Sequence, residues 1–166
     1  MSTPLLPADS SALASTLARD WAVQVNTSTT ETPTWVFVYG LSQVGPTSDI
    51  TLQDDGDIHA GGYKSQLATA IGANLELQGL RKGTLASEVF TPDPGQEALR
   101  AKGKLTGYDN IAHVRYWRTD DLTDAFEIRA AVSWVDTAAD KEALQAFTCT
   151  LTGRGKPVVI TKPVTP

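Results

Sequence analysis

The stretch LATAIGANLELQGL, Leu67 to Leu80, decides the fold class. Ile71, Ala73, Leu75 and Leu77 recur at every second position, with Asn74, Glu76 and Gln78 between them. Period-two alternation puts the two sets on opposite faces of a β-strand, one for a core and one for water. A long strand with one wet face suits a curved antiparallel sheet. Upstream, Trp21, Val23 and Val25 alternate with Ala22, Gln24 and Asn26, and a polar turn follows at Thr27 to Thr32. Thr34 to Tyr39 then places aromatics on alternate positions with valines between, which predicts a strand covered on both faces and ended by Gly40. Downstream, Arg81-Lys82-Gly83 reads as a turn and Thr84 to Phe90 as one short strand.

Three further strands are predicted at Ile111 to Arg118, Ala125 to Val135 and Leu144 to Gly153, with a last short one at Val158 to Ile160. In the third of these, Thr148, Thr150 and Thr152 oppose Phe147, Cys149 and Leu151. One helix is predicted over about 94–103. Asp93 is its N-cap, Pro94 its first residue and Gln96 the capping partner three residues on. Ala98, Leu99 and Ala101 form its apolar stripe, and Gly103 or Gly107 ends it. Seven or eight strands and one helix define a mostly β chain, a β-sandwich or partly closed β-barrel with one flanking helix. Residues 19–160 form the domain. Residues 1–18 read as an N-terminal arm with a helical turn near Ser10 to Leu17, and 161–166 as a C-terminal tail.

Between two predicted strands the pattern disappears. Residues 45–65, GPTSDITLQDDGDIHAGGYKS, hold four Gly, four Asp and one Lys and read as a long loop. Loops of this length inside a compact domain are uncommon and usually functional.

The 166 residues carry 19 acidic and 14 basic side chains, a formal charge of −5, which gives no basic footprint for gripping nucleic acid. The single Cys149 cannot make an internal disulfide and reads as a small buried hydrophobe. No run approaches the ~20 apolar residues of a membrane span. Met1 to Pro7 has no basic residue ahead of its leucines, unlike a secretory signal.

The two histidines, His59 and His113, belong to no spaced ligand set. Asp54-Asp55-Gly56-Asp57 departs from the EF-hand template. Gly153-Arg154-Gly155-Lys156 leads into Pro157 and reads as a turn rather than a phosphate cradle. The expectation is a non-enzymatic protein without cofactor or metal.

Several strings together resemble a known family. They are Arg19 to Asn26, the loop from Leu52-Gln53-Asp54-Asp55 to Gly62-Tyr63-Lys64-Ser65, and Phe90 to Gly95. Ala131 to Trp134 and Phe147 to Pro157 complete the set. In this order they resemble the tail tube proteins of long, flexible, non-contractile phage tails, especially those of actinobacterial hosts, over about residues 19–160. Many such proteins carry an additional immunoglobulin-like domain, which is not expected here.

The resemblance implies a structural virion protein. Hexameric rings would close edge to edge and stack head to tail, and DNA would pass through without specific binding. It implies as partners further copies of the chain, a tape-measure protein, a tail terminator and tail-tip or distal tail proteins, with no membrane. Assembly would take place in the host cytoplasm and the final place would be the virion tail.

On this reading the loop supplies the contact between rings, through Asp49, Leu52, Asp54, Asp55, Asp57, His59, Tyr63 and Lys64. Asn74, Glu76, Gln78, Thr148, Thr150 and Thr152 are candidates for the bore lining. Loop and arm are expected to order only on stacking, which would delay premature assembly. Rival expectations are a terminator or distal tail protein on the same fold, the tube of a contractile tail, and a β-sandwich that binds glycans or host surfaces. The last would need an exposed aromatic platform, whereas Trp21, Trp35 and Trp134 are expected to point inward.

Overall fold

A computed structural model describes residues 9–137 and 140–164. The start of the arm, the middle of the Asp136 to Asp140 turn and the end of the tail lie outside the described residues. Within them are ten strands and one α-helix. The strands are β1 (Trp21–Asn26), β2 (Trp35–Phe37), β3 (Leu41–Asp54), β4 (Gln66–Leu80), β5 (Gly83–Ala86) and β6 (Val89–Pro92). The helix α1 (Pro94–Lys102) is followed by β7 (Ile111–Arg118), β8 (Ala125–Thr137), β9 (Ala146–Gly153) and β10 (Val158–Val159). A 3-10 turn at Ser10–Ala12 falls inside the helical turn expected in the arm.

One antiparallel sheet organises the chain in the order β2-β1-β7-β8-β9-β4-β3, with β10 pairing β8. The sheet does not close; β2 and β3 are its edges. Along β8 the partner strand β9 ends at Gly153, and after the excursion Arg154–Pro157 the chain resumes the same edge as β10. On the other edge β7 stops opposite Ala131, and the Asn110 amide takes over. Asn110 accepts from the Val132 N–H at 3.0 Å and donates to the Val132 carbonyl at 2.9 Å, as a further strand residue would.

The alternation read from the sequence sets the core. Val23 and Val25, Val114 and Tyr116, Ile128 and Val132, Phe147, Cys149 and Leu151, and Leu75 and Leu77 share one face and are buried. Trp134 stacks on Phe147 at 4.4 Å between centroids. Each fully buried Leu or Phe here contributes about 1.5–3 kcal/mol relative to exposure. Helix α1 closes this face through Leu99, which is fully buried.

Asp93 caps the helix as expected, accepting from the Gln96 N–H at 2.9 Å. The Gln96 side chain does something else. Fully buried, it donates to the carbonyls of Tyr39 at 2.7 Å and Leu80 at 3.0 Å. Its carbonyl accepts from the Arg81 guanidinium and the Lys82 N–H, each at 3.3 Å. One amide thus ties the helix start to the entry of β3 and the exit of β4. Contact is close enough that a Cβ on Gly95 would lie 2.2 Å from the Phe37 carbonyl oxygen, so only glycine fits.

Three local expectations are corrected. The stretch 45–65 is not one loop: residues through Asp54 are strand, paired with β4 from Leu41↔Gly79 to Asp54↔Gln66, and only 55–65 turn the chain. The distal part of β3 is exposed on both faces, so no buried face imposes a period on it, and Pro46 is tolerated because β3 is an edge. Thr34 to Tyr39 contributes only the short edge strand β2, with Phe37 and Tyr39 exposed rather than covered. Thr84 to Phe90 is not a single strand but most of the separate hairpin β5–β6, turning at Ser87-Glu88.

Both turn residues have positive φ, 49° and 65°, the geometry that favours Asn-Gly and disfavours branched side chains. Replacing them with Asn-Gly is expected to raise stability by about 1–2 kcal/mol, read from urea denaturation midpoints. An unchanged midpoint would show that the turn carries no strain.

Candidate assembly interface

The sheet face opposite the core is polar, and its register is specific. Asn74 lies opposite Thr152, Glu76 opposite Thr150 and Gln78 opposite Thr148. All six proposed bore-lining residues therefore share one surface as three cross-strand pairs. The surface continues to Ser133 on β8, opposite Thr150, and to Gln43 and Thr47 on β3, opposite Gln78 and Asn74. Side chains on this surface bind one another. Gln78 donates to the Glu76 carboxylate at 2.6 Å, and Asn74 donates to Asp49.

Across β8 the same face becomes aromatic and charged. Arg115 donates to Gln24 at 2.7 Å and lies 4.3 Å over the Trp35 ring, whose other neighbour is the His113 ring at 4.8 Å. His113 bonds Glu127 at 2.5 Å, and the Asn26 amide lies 3.4 Å from its second nitrogen. Trp35 therefore packs on this face and not inward with Trp21 and Trp134. Burial lowers the Arg115 guanidinium from its ordinary value, and the nearby Glu127 carboxylate opposes that shift. Arg115, His113 and Glu127 are thus each hydrogen-bonded to a neighbour on this face.

The residues proposed for contact between rings fall in two places. Asp49, Leu52 and Asp54 are on β3; Asp55, Asp57, His59, Tyr63 and Lys64 are in the tip that joins β3 to β4. β9 leaves β4 at Asn74, so residues 66–73 pair only with β3 and the ribbon projects alone. Between Pro46 and Ile71 every residue except Ala60 is exposed. Ile50 and Ile71, register partners, are 57% and 74% exposed, and Ile58 at the tip is 94% exposed. The neighbouring Ile50 and Ile71 and the separate Ile58 are thus large apolar side chains left uncovered on the ribbon.

The chemistry of reactive groups is sparse. Desolvation pushes the Cys149 thiol up to about 12, and the side chain is fully buried. Asp54 and Asp57 accept from the N–H groups of Gly56 and His59 in their own turn. Among the described residues no group of His, Cys, Asp or Glu is arranged to hold a metal ion.

The sequence reading did not find a basic cleft beside the polar face. Arg129, Arg154 and Tyr108 line it with Gly155, and a neighbouring hollow of about 530 Å³ adds Lys102 and the Thr27–Thr30 hydroxyls. The one available signal was the basic Gly153–Lys156 turn, which meets no acidic run nearby in sequence.

These features define a class: a mostly β protein whose main antiparallel sheet has a polar face, two open edges and a projecting arm. Chains from solved phage-type tail assemblies share this fold. A chain from the tail of an empty gene transfer agent particle, refined with C6 symmetry, has a TM-score of 0.65 at 11% identity. It covers 89% of this chain and 100% of its own. A chain of the native gene transfer agent virion gives 0.66 at 10% identity, with the same coverage. A chain from the sheath-tube complex of an extracellular contractile injection system gives 0.51 at 12% identity, covering 92% of this chain and 96% of its own. No protein-family model matches the sequence, and no curated protein matches it.

Proposed function

We propose that the chain is the structural subunit of a phage-type tail tube, in which hexameric rings stack head to tail around a bore that conducts DNA. The observation that carries this is the polar face of three cross-strand pairs, backed by a complete core and bounded by the unpaired edge of β3. A bore for DNA must not hold phosphates, and a lining of Asn, Gln, Thr and Glu offers no fixed cation to them.

Ring closure would cover the β3 edge, which otherwise presents a long row of unpaired backbone groups. The gene transfer agent tail it resembles has C6 symmetry, which supports six copies per ring here. The ribbon then reaches a neighbouring ring, a heterologous contact that propagates as a filament. A tape-measure protein, a terminator and tail-tip proteins would set the tube's length and ends, and the virion tail would be its place after assembly in the host cytoplasm. The strings spread over residues 19–160 favour a long non-contractile tail over a contractile one.

Negative-stain electron microscopy across a concentration series, with and without added tail tips, tests the reading. Hollow tubes or stacked six-fold rings are expected. Single rings that never stack would indicate a terminator, and monomers persisting with tips present would overturn the proposal.

The bore assignment has its own test. Thr152→Lys, at an exposed position of the polar face, is expected to leave tube formation intact while making tubes retain DNA. The salt dependence should steepen by about 0.9 in log–log slope per phosphate contacted. Tubes that form but bind no DNA would place this face outside the bore.

A further inference from the structure

Two opposite charges on this chain lack partners, and they lie far apart. Among the described residues neither Arg129 nor Arg154 takes part in a salt bridge, although both are exposed and spring from adjacent backbone, Arg154 N–H donating to the Arg129 carbonyl at 2.7 Å. The Arg154 guanidinium lies 5.1 Å from the Tyr108 ring centroid, which holds it over the cleft. The adjoining hollow brings Lys102, and Glu31 is its only acidic lining residue. At the ribbon tip Asp54, Asp55 and Asp57 likewise form no salt bridge, with Lys64 the one cation among residues 54–65.

The tip stands eight residues beyond Asn74, the last β4 residue paired to β9, roughly 26 Å at a strand's rise of about 3.3 Å per residue. Tyr63 at the tip is 85% exposed, so the tip does not fold back on its own molecule. A charged arm and a complementary cleft that cannot meet within one chain can meet between two.

We propose that the acidic tip of one copy docks in the Arg129–Arg154–Tyr108 cleft of a neighbouring copy. This rests on the tube reading and deepens it by naming the receptor site for the arm. Two arginines offer forked donors matched to carboxylates, which fixes orientation as well as attraction. Because donor and acceptor surfaces differ, each docked pair leaves one tip and one cleft free, so the contact can repeat from copy to copy. Assembly should then weaken as salt rises.

The test is charge exchange. Arg129→Asp with Arg154→Asp, and separately Asp54→Lys, Asp55→Lys and Asp57→Lys, should each raise the concentration needed for tube growth about tenfold or more, since like charges would then face one another. Mixing the two variants, or combining all five substitutions in one chain, should restore growth. Melting curves like the wild type's would show that each variant folds. Failure of wild type alone to form tubes counts against the tube reading and leaves the docking contact to a second measurement.

That measurement mixes Arg154→Cys with Asp55→Cys chains under oxidising conditions. A disulfide-linked heterodimer is expected, and the buried Cys149 should not compete. No heterodimer at concentrations where chains associate, reversals without effect on growth, or losses that the exchange does not rescue would each overturn the docking site.

Discussion

Gln96→Leu is expected to lower the unfolding free energy by about 3–5 kcal/mol while keeping side-chain volume nearly constant. The loss is electrical rather than steric. With the amide gone, the carbonyls of Tyr39 and Leu80 lose a buried donor, and the Arg81 guanidinium and Lys82 N–H lose an acceptor. A buried polar group left without a partner costs about 1–3 kcal/mol. Leucine also brings no attraction to hold α1 against the entry of β3, where the Phe37 carbonyl sits so close to Gly95. Urea denaturation should show a lower midpoint with unchanged slope. A loss under about 1 kcal/mol would mean that water or another side chain can replace the amide.

The second large effect is on assembly and not on stability. Asp49 and Gly72 are register partners, so residues 50–71 can be replaced by Asn-Gly as a two-residue hairpin turn. The excised residues are almost all exposed and none belongs to the core cluster. The shortened chain should therefore melt within a few degrees of the parent. Tube growth should be lost, because both the apolar ribbon and the acidic tip are gone. Sedimentation velocity and electron microscopy read the outcome directly. Tubes of normal length from the shortened chain would show that the arm is dispensable and that edge pairing suffices.

The parts of the fold legible in the sequence were those where burial on one face imposes a period. β4, β8 and β9 each bury one face against the same core, and the positions of Leu75, Leu77, Val132 and Leu151 announce it. The helix start was legible because Asp93-Pro94 answers a purely local need for caps. The polar face followed from β4 and β9 alone; the register then joined the two sets of residues into pairs.

What stayed hidden lacked a local cause. Residues 46–54 are strand by pairing and not by burial, so composition read them as loop. Ser87-Glu88 adopts a turn that its residues disfavour. Gln96 looked like a capping partner, and its real contacts are with residues 57 and 16 positions away. The cleft gathers Tyr108, Arg129 and Arg154 from three separate elements, a meeting no spacing rule foresees.

The ribbon is anchored to the sheet only at its root, where β9 releases β4. Two-stranded ribbons twist more freely than broad sheets. In a tube stacked as proposed, such an arm would work as a leaf spring: when the tail curves, rings tilt apart on the outer side and together on the inner. Flexing the arms would take up that change in spacing while the paired sheet keeps its shape. Bending compliance would then reside in residues 46–71 and rigidity of the proposed bore in β9 and the part of β4 paired to it, Asn74 to Leu80, so a tail could sway without narrowing its channel.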